Sequence, residues 1–375
     1  MRGTRTFLRS IHWLVAATLI ASGALAQAPP STLLVLAKSD NTVAIVDPAT
    51  LQVLARVPAG PDPHEIIVSD DGKLAYISNY GGSDSALHTI SVVDLVARQA
   101  LSAIDLGALR STHGLAFAGG KLYFTAETNK VIGRYDPATQ RVDWILGTGQ
   151  DRTHMIVVSP SLDHIVTSNV NSGTISIIEQ VSQPNGGFGP PPGGSPGSGS
   201  APPGGAPPQA QGPPPGGSRM TWEVTNVRSG NGSEGFDLSP DGKEIWAANA
   251  RDATVTIIDV VAKKTIQTLP IPLKGANRLK FTPDGRRVLI SGLGAGPNAA
   301  GIGLVVIDAT TRKEVKHLSL GGGAAGILIA PDGSRAYVAV STSDKVAIID
   351  LKTLEVTGQI SAGKQPDGLA WAVRK

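Results

Sequence analysis

The sequence predicts an all-β fold made of seven repeats, each with four short antiparallel strands. Three observations predict it: a recurring run rich in valine and isoleucine, a recurring Asp-Gly turn, and a nearly constant repeat length. The clearest repeat runs from His64 to Ile104 and contains four short apolar runs separated by turns. Repeats of roughly 40–50 residues with four strands each are typical of β-propeller blades, which bury their faces against one another.

The third strand of each repeat is the most regular element. It consists mainly of β-branched residues, which suit a packed sheet face. Its copies are 42–47, 89–94, 130–136, 174–179, 254–259, 303–308 and 345–350. All but the fourth copy enter a tight turn such as Asp47-Pro48-Ala49-Thr50, and Asp-Gly pairs such as Asp71-Gly72 join first and second strands. Each repeat therefore reads as a four-stranded meander.

The spacing of the innermost strands indicates one insertion. These strands begin after residues 64, 113, 154, 234, 277, 325 and 367, with spacings of 49, 41, 80, 43, 48 and 42 residues. The long spacing contains residues 182–218, a tract rich in proline, glycine, serine and glutamine that is too polar to pack. Without these 37 residues the spacing is 43. We predict a disordered insertion between the third and fourth strands of blade four.

The two ends of the repeat region predict how the ring closes. Residues 367–373 match an innermost strand, whereas residues 32–37 match a second strand. The last strand is therefore predicted to complete the first blade, which leaves no large unpaired sheet edge. Residues 31–375 would then form a single seven-bladed β-propeller, which we expect to be a monomer.

Three of the second strands end in similar tetrapeptides. They are Tyr76-Ile77-Ser78-Asn79, Val166-Thr167-Ser168-Asn169 and Trp246-Ala247-Ala248-Asn249. These tetrapeptides resemble the Tyr-Val-Thr-Asn signature of the YVTN-repeat β-propellers, and the chain also looks similar to the lactonase-type seven-bladed propellers. The resemblance covers the repeat region outside the insertion and implies the propeller fold. It implies no single activity, because YVTN-repeat proteins include surface-layer, binding and enzyme-like members.

Residues 1–26 have the pattern of a cleaved export signal. Arg2, Arg5 and Arg9 precede an apolar stretch, and Ala24-Leu25-Ala26 forms a small-residue cleavage site. The apolar stretch is too short to cross a bilayer, which takes about 20 residues. We therefore expect a periplasmic or secreted protein without a membrane span.

Charge and composition exclude several classes of partner and chemistry. The chain has 33 basic and 30 acidic residues, and three arginines lie in the export signal, so the remaining chain is formally neutral. Because no basic run remains, we expect no nucleic-acid partner. The sequence contains no cysteine, which excludes disulfides, thiolate metal ligands and cysteine nucleophiles.

One equivalent position in each repeat is the main candidate for a functional site. It directly precedes the innermost strand, so in a propeller it lies at one mouth of the central channel. Around the ring it is occupied by Asp367, His64, His113, His154, Glu234, Asn277 and Ala325. Three adjacent histidines flanked by carboxylates suit one divalent transition-metal ion: zinc, copper, iron, nickel or manganese. The alternative is that these histidines are structural or face solvent.

Further polar residues are expected on the same face of the ring. The candidates for ligand binding are Asn79, Glu127, Asn169, Asn249, Arg251, Asn277 and Arg278. An asparagine at a strand end is often only a turn residue, so the asparagines have a structural alternative. Arg251 and Arg278 either bind a carboxylate or phosphate of a ligand or form salt bridges with Glu234.

Three functions are compatible with this site. The first is a binding protein that holds a small molecule, a metal ion or a protein partner at the channel mouth. The second is a metal-assisted hydrolase or lyase, in which the histidines bind the ion and Glu234 or Asp367 is a fourth ligand or the general base. The third is a structural surface platform with an inert mouth.

Overall fold

The fold is a ring of seven antiparallel sheets. A computed structural model describes residues 31–81, 86–184, 218–294 and 302–375. Within these ranges there are 29 strands and one short 3₁₀ helix, Ser341–Ser343. None of the described residues forms a helix long and apolar enough to cross a membrane. The predicted export signal, residues 1–26, lies outside the described residues.

The strands of each blade follow one another outward from the channel. Blade one contains β29 (Pro366–Val373), β1 (Ser31–Ala37), β2 (Thr42–Val46) and β3 (Val53–Pro58). Blade two contains β4 (Pro63–Val68), β5 (Leu74–Asn79), β6 (Thr89–Asp94) and two short strands that both pair with β6, β7 (Gln99–Ala100) and β8 (Ile104–Asp105). Blade three contains β9 (Thr112–Ala118), β10 (Lys121–Ala126), β11 (Val131–Asp136) and β12 (Arg141–Gly147).

The remaining four blades repeat the same order. Blade four contains β13 (Thr153–Val158), β14 (His164–Asn169), β15 (Thr174–Pro184) and β16 (Ser218–Arg228). Blade five contains β17 (Ser233–Leu238), β18 (Glu244–Asn249), β19 (Thr254–Asp259) and β20 (Lys264–Pro270). Blade six contains β21 (Ala276–Phe281), β22 (Arg287–Gly292), β23 (Ile302–Asp308) and β24 (Lys313–Ser319). Blade seven contains β25 (Ile327–Ile329), β26 (Arg335–Val340), β27 (Lys345–Asp350) and β28 (Glu355–Ile360).

The ring closes as the sequence predicts. The innermost strand of blade one is β29, which pairs antiparallel with β1, and Leu34 lies opposite Ala370. Residues from both ends of the repeat region therefore share one sheet. The prediction of a seven-bladed all-β propeller completed by its last strand is confirmed.

The hydrophobic core consists of seven clusters, one between each pair of neighbouring blades. Leu33 and Val35 of blade one pack with Tyr337 of blade seven, which seals the joint between the two ends of the repeat region. Between blades five and six, Trp246 packs edge-on against Phe281 with ring centroids 5.6 Å apart. Because each sheet buries both faces against its neighbours, the blades form one rigid support for side chains at the channel.

Strands in blade four extend into both ends of the insertion that the sequence predicts. Strands β15 and β16 pair continuously from Thr174–Arg228 to Pro184–Ser218. The first three residues and the last residue of the predicted tract 182–218 are therefore in strands. Residues 185–217 lie outside the described residues.

Aspartates repeated in the turns predict how the fold responds to acid. In the Asp-Gly turns, the Asp71 carboxylate accepts hydrogen bonds from the Ser69 hydroxyl at 2.7 Å and from the Lys73 N–H at 3.1 Å. The Ser69 hydroxyl bond, followed by the Lys73 backbone bond, lowers the Asp71 pKa from 3.8 to about 2. The pKa values of Asp241, Asp284 and Asp332 in equivalent turns are also lowered by such bonds.

A carboxyl group whose pKa is lower in the folded protein than in the unfolded chain stabilises the fold at pH values above its unfolded-state pKa. This stabilisation is lost as the pH falls through the folded-state pKa. We therefore expect the melting temperature to be flat near neutral pH and to fall steeply between about pH 4 and pH 2. Asp71→Asn should lower the melting temperature at pH 7 but make little difference at pH 2. Asp70→Asn at the same turn is the matched control, and equal effects of the two variants at pH 7 would contradict the explanation.

Candidate functional site

A repeated backbone irregularity presents the ring residues at the channel mouth. In six blades the register of the innermost strand shifts by one residue at the ring position, as in a β-bulge. Two residues earlier, the same six blades have a residue with positive φ: Asp62, Ser111, Arg152, Gly232, Gly275 and Gln365. A bulge turns a side chain away from its regular direction, so the ring position is displayed at the mouth in each of these blades.

Glycines behind the ring allow neighbouring blades to approach closely. A Cβ atom at Gly114 would overlap the backbone carbonyl oxygen of His154. The same position in other blades is occupied by Gly235, Gly326 and Gly368. A Cβ atom at each of them would overlap the backbone carbonyl oxygen of the ring residue in the next blade. These glycines bring successive ring residues close together, so that their side chains share one cavity.

Replacing Gly114 by alanine is expected to lower the free energy of unfolding by about 1–3 kcal/mol, because the added methyl group forces the His154 backbone to move. Gly147→Ala is the matched control, since nothing lies within 4 Å of the added Cβ there. Urea unfolding of both variants measures the difference. Equal stability of the two variants would contradict the role of Gly114 in blade packing.

The seven ring residues line a single cavity of about 230 Å³ at the mouth of the channel. The structure therefore brings together all the residues that the sequence places at the equivalent position. The cavity is also lined by the side chains Lys38, Arg152, Arg278, Leu293, Ser341 and Gln365. The cavity is lined mainly by polar and charged side chains, with the histidines on one side.

His113 lies at the centre of the histidine side. Its ring centroid is 3.7 Å from that of His154 and 5.1 Å from that of His64, and the Tyr80 ring contacts it edge-on. Burial, together with the neighbouring His154 and His64, lowers the pKa of His113 well below its ordinary value. His113 is therefore neutral, and its buried Nδ1 has no hydrogen-bond partner. A neutral imidazole with a free nitrogen is the form that binds metal ions.

His154 is held between two carboxylates. Its Nδ1 contacts Oε1 of Glu127, and its Nε2 lies 2.8 Å from Oε2 of Glu234. The second approach is close but lacks the alignment of a hydrogen bond. Burial opposes the charged form of His154, yet Glu234 and Glu127 outweigh it and raise the pKa. Burial likewise opposes ionisation of Glu234, but His154 and Arg152 lower its pKa to about 2.

Arg152 and Tyr80 complete the surroundings of Glu127. The Tyr80 hydroxyl donates to Glu127 Oε2 at 2.7 Å, and Arg152 Nε lies 3.3 Å from the same oxygen. Arg152 also reaches Glu234 Oε1 at 3.3 Å. Burial and the charge of Glu127 raise the pKa of Tyr80 to about 12, so the phenol keeps its proton. Both carboxylates thus have fixed orientations beside His154.

His64 belongs to a different set of contacts on the same wall. Its Nε2 lies 3.4 Å from Asp62, and its Nδ1 lies 3.4 Å from Asp367. Lys38 is 3.6 Å from Asp62 on the outer side. Burial raises the pKa of Asp367, and the charges of His64 and Arg278 only partly oppose this effect.

One group of side chains in the described part of the chain can hold a metal ion. Single donor atoms of His113, Glu127 and His154 all lie within 4.8 Å of one another, and all three side chains are buried. Two imidazoles and a carboxylate suit zinc and several other divalent transition metals. The group keeps two of the predicted histidine ligands and adds Glu127, which the sequence suggests only as a ligand-binding residue. His64 and Asp367 are not part of it.

Arg278 does not pair with Glu234, the salt-bridge partner that the sequence suggests for it. Its guanidinium forms a buried ion pair with Glu65, which approaches from blade two on the other side of the channel. The same guanidinium donates to the Asn277 side chain at 3.1 Å. Burial opposes the charged form, but Glu65 and Asp367 raise the pKa of Arg278. The arginine that contacts Glu234 is Arg152.

Four other predicted ligand-binding residues do not lie at the cavity. The amides of Asn79, Asn169 and Asn249 are buried at strand ends, where they bond hydroxyl groups of the adjacent third strand. Arg251 is exposed and donates to Asn171 at 2.9 Å. The recurring asparagine therefore connects the second strand to the third by hydrogen bonds. This is the structural role that the sequence suggests as the alternative to ligand binding.

Sequence reasoning missed Arg152, because nothing in its local sequence marks it as a site residue. Its position is nevertheless regular, since it lies two residues before His154 at the positive-φ position of the bulge. Asp62 and Gln365 occupy the same position relative to His64 and Asp367. Extending the ring alignment two residues toward the N-terminus would have revealed a second layer of residues around the mouth.

Comparisons with known proteins support the fold and leave the function open. No known protein-family model matches the sequence, and no curated protein matches it. A functionally unknown protein from Desulfotomaculum acetoxidans DSM 771 has a similar structure, with a TM-score of 0.67 at 11% identity over 92% of this chain and 99% of the other.

Two similar structures come from characterised proteins. Hydrazine synthase from Kuenenia stuttgartiensis has a TM-score of 0.59 at 17% identity, over 82% of this chain and 88% of that one. The dihydro-heme d1 dehydrogenase NirN, solved in complex with DHE, has a TM-score of 0.57 at 16% identity over 89% of this chain and 64% of that one. At such low identity these likenesses show only the shared propeller fold.

Proposed function

We propose that this protein is an exported metal-binding propeller whose channel mouth holds one divalent transition-metal ion and, beside it, a small ligand or a protein partner. The ligands of the ion are His113, Glu127 and His154. The observation that carries the proposal is the convergence of His113, Glu127 and His154, whose donor atoms lie within 4.8 Å of one another, at a residue whose buried Nδ1 has no hydrogen-bond partner, His113. A buried polar atom without a partner costs stability, and a bound ion removes that cost.

The charge around the cavity supports a divalent ion. The cavity and its directly bonded neighbours contain five carboxyl groups: Asp62, Glu65, Glu127, Glu234 and Asp367. They contain three side chains that are always cationic: Lys38, Arg152 and Arg278. The carboxyl groups outnumber these cations by two, and the raised pKa values of His154 and Asp367 show that protons offset part of this excess when no ion is bound. Unbalanced charge in a buried site is expensive, so this excess favours cation binding.

Glu234 supports the proposed ion from the other side of the His154 ring and is not among the three side chains whose donor atoms lie within 4.8 Å of one another. Its Oε2 lies 2.8 Å from His154 Nε2, and its low pKa keeps it ionised. Arg152 bridges Glu234 and Glu127 and orients both carboxylates, as groups around metal ligands commonly do. Binding of the ion displaces the proton between His154 and Glu127, so metal binding should release protons.

The cavity leaves room for a ligand next to the ion. Its volume of about 230 Å³ suits a small molecule; Asn277 and Ser341 line the wall away from the histidines, and Lys38 lines the cavity near His64. These groups are suited to a polar ligand that also contacts the ion. We expect a protein partner to insert a polar side chain in the same place.

A second candidate function is metal-assisted hydrolysis or lyase chemistry of the lactonase type. It is favoured by the His64–Asp367 pair, which lines the same cavity outside the ligand group. In this alternative an ion held by His113, Glu127 and His154 would supply Lewis acidity toward a carbonyl group or water, and the His64–Asp367 pair would exchange protons with the substrate. The export signal predicted at residues 1–26 would place either function in the periplasm or outside the cell.

Metal analysis of the exported protein tests the proposal. Protein purified from the exported fraction without chelators is expected to contain about one equivalent of a divalent transition metal. The His113→Ala variant should contain none. A double variant of the surface histidines, His88→Ala with His164→Ala, is the matched control and should retain the metal. Metal-free wild-type protein that also fails to bind added zinc, copper, nickel, manganese or iron would overturn the proposal.

A further inference from the structure

The central channel contains a second compartment below the mouth. This lower chamber has a volume of about 400 Å³. Its lining includes the inward-facing residues Glu65, Ile67, Leu115, Phe117, Met155, Val157, Arg278, Lys280, Leu328, Leu369 and Trp371. The Glu65–Arg278 ion pair crosses the channel between the two compartments, and Arg278 lines both of them. The lower chamber is thus separated from the candidate metal centre.

The walls of the lower chamber are mainly apolar. Leu115, Phe117, Met155, Val157 and Trp371 are only partly buried, although they lie on the innermost strands of packed blades. The surface they leave open faces the channel. A cavity of this size with a continuous apolar wall and few polar groups is typical of a small-molecule binding site.

The polar groups of the lower chamber lie mostly on one wall. Arg278 and Lys280 are two positions apart on β21, so they point to the same side of the strand. Glu65 is the carboxylate of the lining and is paired with Arg278. Lys280 forms a salt bridge at 3.2 Å with Asp237, which lies outside the lining, and the Lys280 side chain stays 41% exposed. The lining itself contains one more cation than carboxylate, and the ammonium group of Lys280 has further N–H donors for a ligand.

We propose that the lower chamber is a second binding site, which takes a small amphiphilic anion. The apolar body of the ligand, of the size of one to three rings, lies against Phe117, Val157 and Trp371. Its carboxylate or sulfonate meets Lys280 on the opposite wall. The anion is favoured over a neutral or cationic ligand because the cationic wall faces the apolar one across the chamber.

Fluorescence titration of the full chain with two related probes tests this site. 8-Anilinonaphthalene-1-sulfonate carries one negative charge, and N-phenyl-1-naphthylamine has a similar body without it. Both probes are expected to bind saturably with one equivalent and to quench tryptophan emission. Lys280→Gln should weaken binding of the anionic probe about fivefold or more and leave the neutral probe within twofold. Lys280→Arg should restore the anionic preference.

Variants that fill the lower chamber provide the independent check. Val157→Trp, and Leu369→Phe if the first variant fails to fold, should abolish saturable binding of both probes. Lys352→Gln, an exposed lysine of blade seven, is the matched control and should change neither probe. Unchanged binding in a folded chamber-filling variant, or equal effects of Lys280→Gln on both probes, would overturn the proposal.

Discussion

Alanine at His113 or His154 is expected to weaken zinc binding by more than about 100-fold, whereas alanine at His64 should cost less than about tenfold. The difference arises because His113 and His154 offer donor atoms to the same point as Glu127, within 4.8 Å. His64 instead lies between Asp62 and Asp367, 3.4 Å from each. Isothermal titration of the chelator-treated protein with zinc at neutral pH measures these affinities.

The affinities of these alanine variants distinguish two arrangements of ligands around the ion. If the ion were held symmetrically by the three histidines of the ring, their alanine variants would lose affinity equally. Because His113 is buried, circular dichroism should first establish that its variant is folded, and His113→Gln provides a larger replacement. Wild-type affinity in a folded His113 variant would contradict the assignment of this residue as a ligand.

Replacing Arg278 by methionine is expected to lower the free energy of unfolding by about 3–5 kcal/mol. Arg278 and Glu65 form an ion pair across the channel, and their side chains are only 10% and 16% exposed. Removal of the arginine leaves the Glu65 carboxylate desolvated without its counter-charge. The loss should exceed that of an ordinary surface substitution, which lies within about 0.5 kcal/mol.

A double-mutant cycle isolates this cross-channel interaction. Adding Glu65→Gln to Arg278→Met should recover much of the lost stability, because the uncompensated charge is removed. Arg251→Met is the matched control, since Arg251 is exposed and its guanidinium donates to the neutral side chain of Asn171. Additive losses from the two channel variants would show that the pair is not coupled in solution.

The propeller fold was predictable because its sequence pattern repeats from blade to blade. Every blade repeats the β-branched third strand and four blades repeat the Asp-Gly turn, so a pattern that is weak in one repeat is strong over the whole chain. The spacing that exposed the insertion also aligned the ring residues. Closure followed from β29, which has no partner strand next to it in sequence, and from β1, which pairs with β2 on one edge and needs a second partner on the other.

The details of the site were less predictable because they depend on where side chains point. The bulge that displays His154 also places Arg152 beside Glu234, yet a bulge has no reliable sequence pattern when its positive-φ residue is not glycine. Of the alternatives that the sequence left open for Arg278, a salt bridge with Glu234 is not formed, because Glu65 from the opposite side of the channel pairs with the guanidinium. Such contacts depend on which blades face each other across the channel. The spacing of residues along the chain does not specify this.

X-ray absorption spectroscopy of the zinc-loaded protein reports the ligands of the proposed ion themselves. We expect one ion with two imidazole nitrogens at about 2.0–2.1 Å and carboxylate oxygen at about 2.0–2.2 Å. The imidazole contribution should fall to one nitrogen in His113→Gln and remain at two in His64→Ala. A spectrum with three imidazoles, or one that His113→Gln leaves unchanged, would contradict a metal centre built from His113, Glu127 and His154.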